Sequence, residues 1–216
     1  MSLGILRVLG IIIFLYLLWR NLKESYESQK VITFSWIALL GFFVGGRLLY
    51  GFIHWGIWNN NLSDWVSVWN KPGMSYIGAY LGLVLVTWLY GRKEQWKFFN
   101  FLEDLMRPLL VFSWFLVADE CIRTKFDWKL IVYLILIIII YLINLWLSKK
   151  YRSFVWYKSG KKGFVLLSTN FLFFLAITIT LILFKESLVS VILASIISLI
   201  SLIGLFILGE VKYERK

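Results

Sequence analysis

The chain has 216 residues, 60% of them apolar and 16% charged, with a mean hydropathy of +0.78 and a formal net charge of +11. A soluble domain is about half apolar and about a quarter charged; here the apolar excess falls in long unbroken runs, which excludes both a soluble globular fold and a disordered chain. A single Cys (Cys121) and a single His (His54) exclude a disulfide framework and a His- or Cys-rich metal site, so no metal and no cofactor are expected.

Seven apolar runs approach membrane length, at 3–19, 31–53, 75–91, 105–122, 129–148, 163–184 and 188–209. The first lacks a small-x-small cleavage site and runs into Arg20-Asn21-Leu22-Lys23, so it reads as a retained helix and not a signal peptide. Between the second and third runs, Trp55, Trp58, Trp65 and Trp69 recur with Leu62 at spacings of three and four, one face of a helix lying in the membrane interface. That loop reads either as a lipid-access or substrate-docking arm, or as an aromatic belt fixing the depth of its neighbours. Asn59-Asn60-Asn61 interrupts the stripe.

The loops divide by charge. Arg20, Lys23, Lys30, Arg92, Lys93, Lys97, Lys149, Lys150, Arg152, Lys158, Lys161, Lys162, Lys212, Arg215 and Lys216 fall on one side; Lys71, Arg123, Lys125, Lys129 and Lys185 fall on the other. Basic loops stay in the cytoplasm, so the N-terminus is expected outside and the C-terminus inside. The expected fold is an all-α, polytopic membrane protein of about seven transmembrane helices, with residues 1–216 as a single integral domain. The positive charge is then an orientation signal with some attraction for anionic head groups, and no nucleic-acid partner is needed.

Ionisable residues within a span are costly and mark candidate sites. Arg47 lies sixteen residues after Val31, roughly 24 Å along the second span and in its outer third. Ser75 and Tyr76 open the third span at that level, Asp119 and Glu120 close the fourth, and Arg7 stands near the outer end of the first. Arg47 could hold a lipid phosphate, because guanidinium binds phosphate oxygens bidentately and stays charged when buried. Asp119 or Glu120 would then be a base or a pairing partner. Alternatively, Arg47 pairs with Asp119 or Glu120 as structure, or snorkels to the surface. Other features read as packing. Gly41-x-x-x-Gly45 and Gly78-x-x-x-Gly82 allow close approach of the second and third spans, and Ser190, Ala194, Ser198, Ser201 and Gly204 stripe the last. Asn144 and Ser168-Thr169-Asn170 predict an interhelical hydrogen-bond cluster, and Cys121 a buried thiol.

Three stretches in order carry a resemblance. Gly45-Gly46-Arg47-Leu48-Leu49-Tyr50 matches the pattern Gly-x-Arg-Leu-x-Tyr. Gly73-Met74-Ser75-Tyr76-Ile77-Gly78-Ala79 matches Gly-Met-Ser-Phe-His-Gly-Gly, and Leu102-Glu103-Asp104-Leu105-Met106-Arg107-Pro108 matches Leu-Ala-Asp-Leu-Ile-Ala-Pro. With the span count and the Gly163-Phe164 that follows a basic loop, the chain resembles the prolipoprotein diacylglyceryl transferases. The departures are specific. Ile77 stands where the family has His, and 113–120 shows no Gly-Arg-x-Gly-Asn-Phe-x-Asn-Gly-Glu run. No Tyr-Gly-x-x-Arg-Phe element occurs around 169–175.

The resemblance implies a bacterial plasma-membrane enzyme. It would move a diacylglyceryl group from a phosphatidylglycerol-like phospholipid to the lipobox cysteine of a preprolipoprotein at the outer face. In that reading Arg47, Tyr50 and Ser75 bind the lipid and its phosphate, Glu120 or Asp119 is the base, and Tyr76 orients the substrate. Of the outer-level residues, only Asp119, Glu120, His54 and Tyr76 can exchange a proton in place of the missing His. The alternative is a catalytically inactive member that binds lipid or lipoprotein as an accessory or scaffold protein.

Overall fold

A computed structural model describes residues 4–54, 73–153 and 162–209. Among these, seven α-helices follow one another: α1 Ile5–Leu22, α2 Ser28–Ile53, α3 Tyr76–Lys93, α4 Phe98–Arg123, α5 Trp128–Lys150, α6 Phe164–Leu183 and α7 Leu188–Gly209, with a short 3-10 turn at Tyr151–Ser153 after α5. Each coincides with one expected run. The largest differences are at α4, which begins at Phe98, seven residues before its run, at α1, which continues through Arg20 to Leu22, and at α2, which begins at Ser28. Five helices, α1, α2, α5, α6 and α7, are long and apolar enough to cross a membrane. The Trp55, Trp58, Trp65 and Trp69 loop lies outside the described residues.

Short links at 23–27, 94–97, 124–127 and 184–187 make successive helices antiparallel neighbours. One end of the molecule therefore gathers Arg7, the end of α2, the start of α3, the end of α4 and the start of α7. The other gathers the Lys30, Lys97 and Lys162 segments.

Helix α4 is the hub, touching α1, α3, α5 and α6. Its burial explains its composition: Glu103, Asp104 and Arg107 are tolerated in a helix surrounded by protein, where side-chain partners replace water. Pro108 has no N–H to give the carbonyl of Asp104. Asn21 Nδ2 from α1 lies 3.4 Å from that oxygen and serves it instead. Arg107 Nε donates to Asn144 Oδ1 at 3.1 Å, and Asn144 Nδ2 donates to Thr169 Oγ1 at 2.8 Å, tying α4 to α5 and α6. Of the predicted cluster of Asn144 with Ser168, Thr169 and Asn170, the Asn144–Thr169 bond is present with Arg107 as an added member, while Asn170 meets Tyr80 instead. The Glu103 carboxylate accepts from Gly163 N at 2.6 Å, a negative charge at the positive end of α6.

The two glycine pairs act where the sequence puts them. A Cβ on Gly45 would stand 2.5 Å from Gly78 O and 2.7 Å from Gly82 Cα, so α2 and α3 touch backbone to backbone. In the last span, Ser198 Oγ donates to Phe171 O at 3.3 Å, and Gly204 leaves room for Leu167. At the basic end, Phe34, Tyr90, Trp96 and Phe101 form an aromatic cluster with Tyr26.

Candidate functional site

The end of α2 and the start of α3 are sewn together by polar contacts. Arg47, 7% exposed, donates from Nη1 to Gly73 O at 2.7 Å, and Ser75 N donates to Gly46 O at 2.9 Å. Gly73 adopts φ +155, and a Cβ there would collide with the Tyr50 ring, so this approach requires glycine. Ser75 then caps α3, its hydroxyl accepting from Gly78 N at 3.3 Å.

Beside this junction lies a cavity of about 370 Å³. Its lining changes character along its length. Tyr50, His54, Ser75, Tyr76, Glu186 and Ser187 come from helix ends and the 184–187 link at the Arg7 end. Phe42, Met106, Ile140 and Phe173 come from farther along their helices, where the lining is mostly apolar with the Tyr80 and Ser113 hydroxyls among it. A cavity polar at its mouth and apolar below suits a lipid, whose head and chains differ in the same way.

The expected site residues divide. Tyr50, Ser75 and Tyr76 line the cavity. Arg47, Asp119 and Glu120 are not among its lining residues. The Asp119 and Glu120 carboxylates are engaged with Arg7: Arg7 Nε lies 2.6 Å from Asp119 Oδ2, and Nη2 lies 2.6 Å from Glu120 Oε2. Arg123 Nε adds a second cation to Asp119 at 2.8 Å. Of the expected group of charges, Asp119 and Glu120 meet Arg7 of α1 and not Arg47. Tyr76 lines the cavity and lies within electrostatic reach of Glu120, Arg7 and Asp119. Cys121 is buried, 2% exposed, on the neighbouring turn.

His54 ends α2, and its imidazole stacks on Tyr50 with centroids 4.2 Å apart. Its Nδ1 lies 3.1 Å from Tyr50 O. A proton on Nδ1 donates to that carbonyl and leaves Nε2 as the acceptor. Ile77, at the position of the missing His, lines the same cavity. Tyr133, Glu186 and Ser187 were not singled out from sequence. Glu186 carries a usable signal, being an acid in a short link between two strongly apolar runs, but nothing local ties it to 50–76. It lies 3.6 Å from Lys129 Nζ. Among the described residues, no group of three His, Cys, Asp or Glu side chains converges as metal ligands would.

Comparisons with known proteins bear on the same half of the chain. Residues 2–117 match the model of the family described as prolipoprotein diacylglyceryl transferase. A phosphatidylglycerol--prolipoprotein diacylglyceryl transferase of Neisseria meningitidis (serogroup C / serotype 2a) is 32% identical over 109 residues, covering 48% of this chain and 37% of the relative. The proteins of the same name from Azoarcus sp. and Serratia proteamaculans are 28% identical over 112 residues and 27% over 114, covering 42% and 39% of the relatives. The chain thus spans about two-fifths of the length of these curated relatives. The matched segment holds Arg47, Tyr50, His54, Ser75, Tyr76 and Tyr80, and stops short of Asp119 and Glu120. Over more than half its length, therefore, this chain belongs to the prolipoprotein diacylglyceryl transferase family.

Proposed function

We propose that the protein works at the outer face of a bacterial plasma membrane. There it transfers a diacylglyceryl group from a phosphatidylglycerol-like phospholipid to the cysteine of a prolipoprotein. The observation that carries this reading is the cavity that is polar at the mouth and apolar below, walled in large part by the segment shared with the family. In the reaction, the cysteine sulfur forms a bond to the glyceryl carbon, the bond from that carbon to the phosphate oxygen breaks, and glycerol phosphate leaves. The thiol proton passes to an acceptor at the mouth.

In this reading Arg47 attracts the leaving phosphate, while Tyr50 and Ser75 contact the head group and Tyr76 orients it. Glu120 and Asp119 are candidate bases. His54 is the better positioned, because it lines the cavity while both acids are occupied by Arg7. The Trp55–Trp69 stretch would guide lipid to the mouth.

Expression in cells depleted of their own transferase, followed by mass spectrometry of a prolipoprotein, tests the activity. A diacylglyceryl-modified cysteine is the expected product. An unmodified prolipoprotein, with the protein verified in the membrane, overturns the transferase reading. Within that assay, His54→Asn is expected to lower turnover by about 100-fold or more, the usual worth of a general base. If Glu120→Gln has that effect and His54→Asn does not, the base is Glu120.

A further inference from the structure

A second cavity, of about 420 Å³, opens at the other end of the molecule, among the basic loops. It is walled by the 23–27 and 94–97 links, the first turns of α2 and α4, and Lys162 just before α6. Charges of both signs line it without all meeting. Lys30 Nζ is taken by Glu94 at 3.0 Å and Glu27 at 3.5 Å. Lys97 and Lys162 line the same cavity and form no ion pair among the described residues. Asp104, half-buried on the wall, lies within electrostatic reach of Lys162 and Arg107. Its carboxylate nevertheless has no hydrogen bond or ion pair among the described residues, since Asn21 uses only the backbone oxygen. Tyr26 and Trp96 supply an aromatic wall, their rings 4.4 Å apart and both packed on Phe101. A simple anion here would meet Lys97 and Lys162 but face Asp104; a simple cation would meet Asp104 but face the lysines. A ligand that carries both charges satisfies both.

We propose that this cavity binds a phosphoethanolamine group, its phosphate held by Lys97 and Lys162 and its ammonium by Asp104, beside the Tyr26 and Trp96 rings. Lysine binds phosphate as a point charge, and an ammonium offers three donors to a carboxylate and is attracted to aromatic faces. In phosphoethanolamine the two charges are only two carbons and an oxygen apart, so one small cavity accommodates both. The group reaches the site either as the head of phosphatidylethanolamine, since helix ends lie at the head-group level of a bilayer, or as a soluble phosphodiester such as glycerophosphoethanolamine. This site is separate from the cavity of Tyr50 and His54 and does not depend on the transferase reading.

The test uses the full chain purified in detergent, with retention measured by native mass spectrometry. The probes are phosphatidylethanolamine and phosphatidylglycerol of equal chain length and, separately, glycerophosphoethanolamine. Asp104→Asn keeps the side chain's size and removes its charge; Lys97→Gln/Lys162→Gln does the same for the two lysines. Lipid in the first cavity is common to all three proteins and cancels in the comparison. Asp104→Asn is expected to weaken phosphatidylethanolamine by about tenfold, the worth of a hydrogen bond to a charged group, and to hold phosphatidylglycerol no less tightly than the wild type. The lysine variant is expected to weaken both lipids. The same dependence on Asp104 and the lysines with glycerophosphoethanolamine assigns a soluble source; dependence with the lipid alone assigns the leaflet. Phosphatidylethanolamine held equally by all three proteins overturns the proposal, because the charges then serve only one another. A loss confined to the lysine variant also overturns it, leaving a plain anion site, as does an Asp104→Asn variant that loses both lipids alike, which makes Asp104 structural.

Discussion

Arg7 and Arg47 illustrate how far a residue's chemistry is set by what folds against it. Both are arginines near one end of an apolar helix, and by depth alone either can meet Asp119 and Glu120. The structure gives the acids to Arg7, since α1 packs along α4 while Arg47 turns toward Gly73. The Asp119 side chain is 7% exposed, so its charge has lost most of its water and depends on Arg7 and Arg123. Arg7→Leu is therefore expected to destabilise the protein by about 1–3 kcal/mol. Lys30→Ala at the other end breaks pairs with Glu94 and Glu27 in which the lysine is open to solvent, and is expected to cost less than Arg7→Leu. Thermal unfolding in detergent measures both; an Arg7 variant no less stable than the Lys30 variant would remove the ion network from the stability argument. No neighbour-by-neighbour rule in the sequence could choose between the two arginines, because the choice depends on which helices touch.

The helices themselves were much easier to read. An apolar run of membrane length leaves the backbone one way to satisfy its polar groups, so each run becomes a helix regardless of its partners. The glycine pairs were equally legible, because a repeat of small residues four apart marks one face. That face carries a sharp expectation. Gly82→Val would drive its side chain into the backbone around Gly41 and Gly45, costing about 1–3 kcal/mol or more and separating α2 from α3. Helix ends were less legible. After α3, α4 and α6 the chain turns through left-handed residues that are not glycine, Gln95 (φ 57), Lys125 (φ 55) and Lys185 (φ 53). The turns are closed by Trp96 N to Gly91 O, Phe126 N to Cys121 O and Glu186 N to Leu181 O. Without the customary glycine these ends give no sequence signal, which is why α4 and α6 could be bounded only by their hydropathy. Gln95→Gly relieves the left-handed conformation, and is expected to raise stability by about 0.5–1 kcal/mol in the same unfolding assay.

Across the molecule, the basic loops collect at the end holding Lys30 and Lys97, and the cavity mouth opens at the end holding Arg7. The proposed orientation sets the first end in the cytoplasm, because basic loops stay inside. With Cys121 replaced by Ala, a cysteine introduced at Lys125 is expected to react with a membrane-impermeant maleimide in intact cells, and one at Lys93 only after permeabilisation. The reverse pattern would put the cavity mouth on the cytoplasmic side and remove the outer-face reaction. The hub position of α4 also explains why the polar residues of this chain concentrate there. Contacts with four other helices supply the partners that lipid cannot, through Asn21, Asn144 and Gly163.

By itself the sequence determined the order of the seven helices among the described residues, the packing seam between α2 and α3, and a first list of polar residues near one end. These follow from hydropathy, side-chain size and charge, which act locally and leave periodic marks. Tertiary structure alone decided which of those residues meet. It joined Arg7 to Asp119 and Glu120, brought His54 and Tyr76 to one cavity mouth, and set Asn170 behind Tyr80 across 90 residues of chain. The physical reason is that a hydrogen bond or ion pair between distant segments depends on the rotation and depth of two helices at once. Neither quantity is written in the residues of one helix; both come from the packing of all seven.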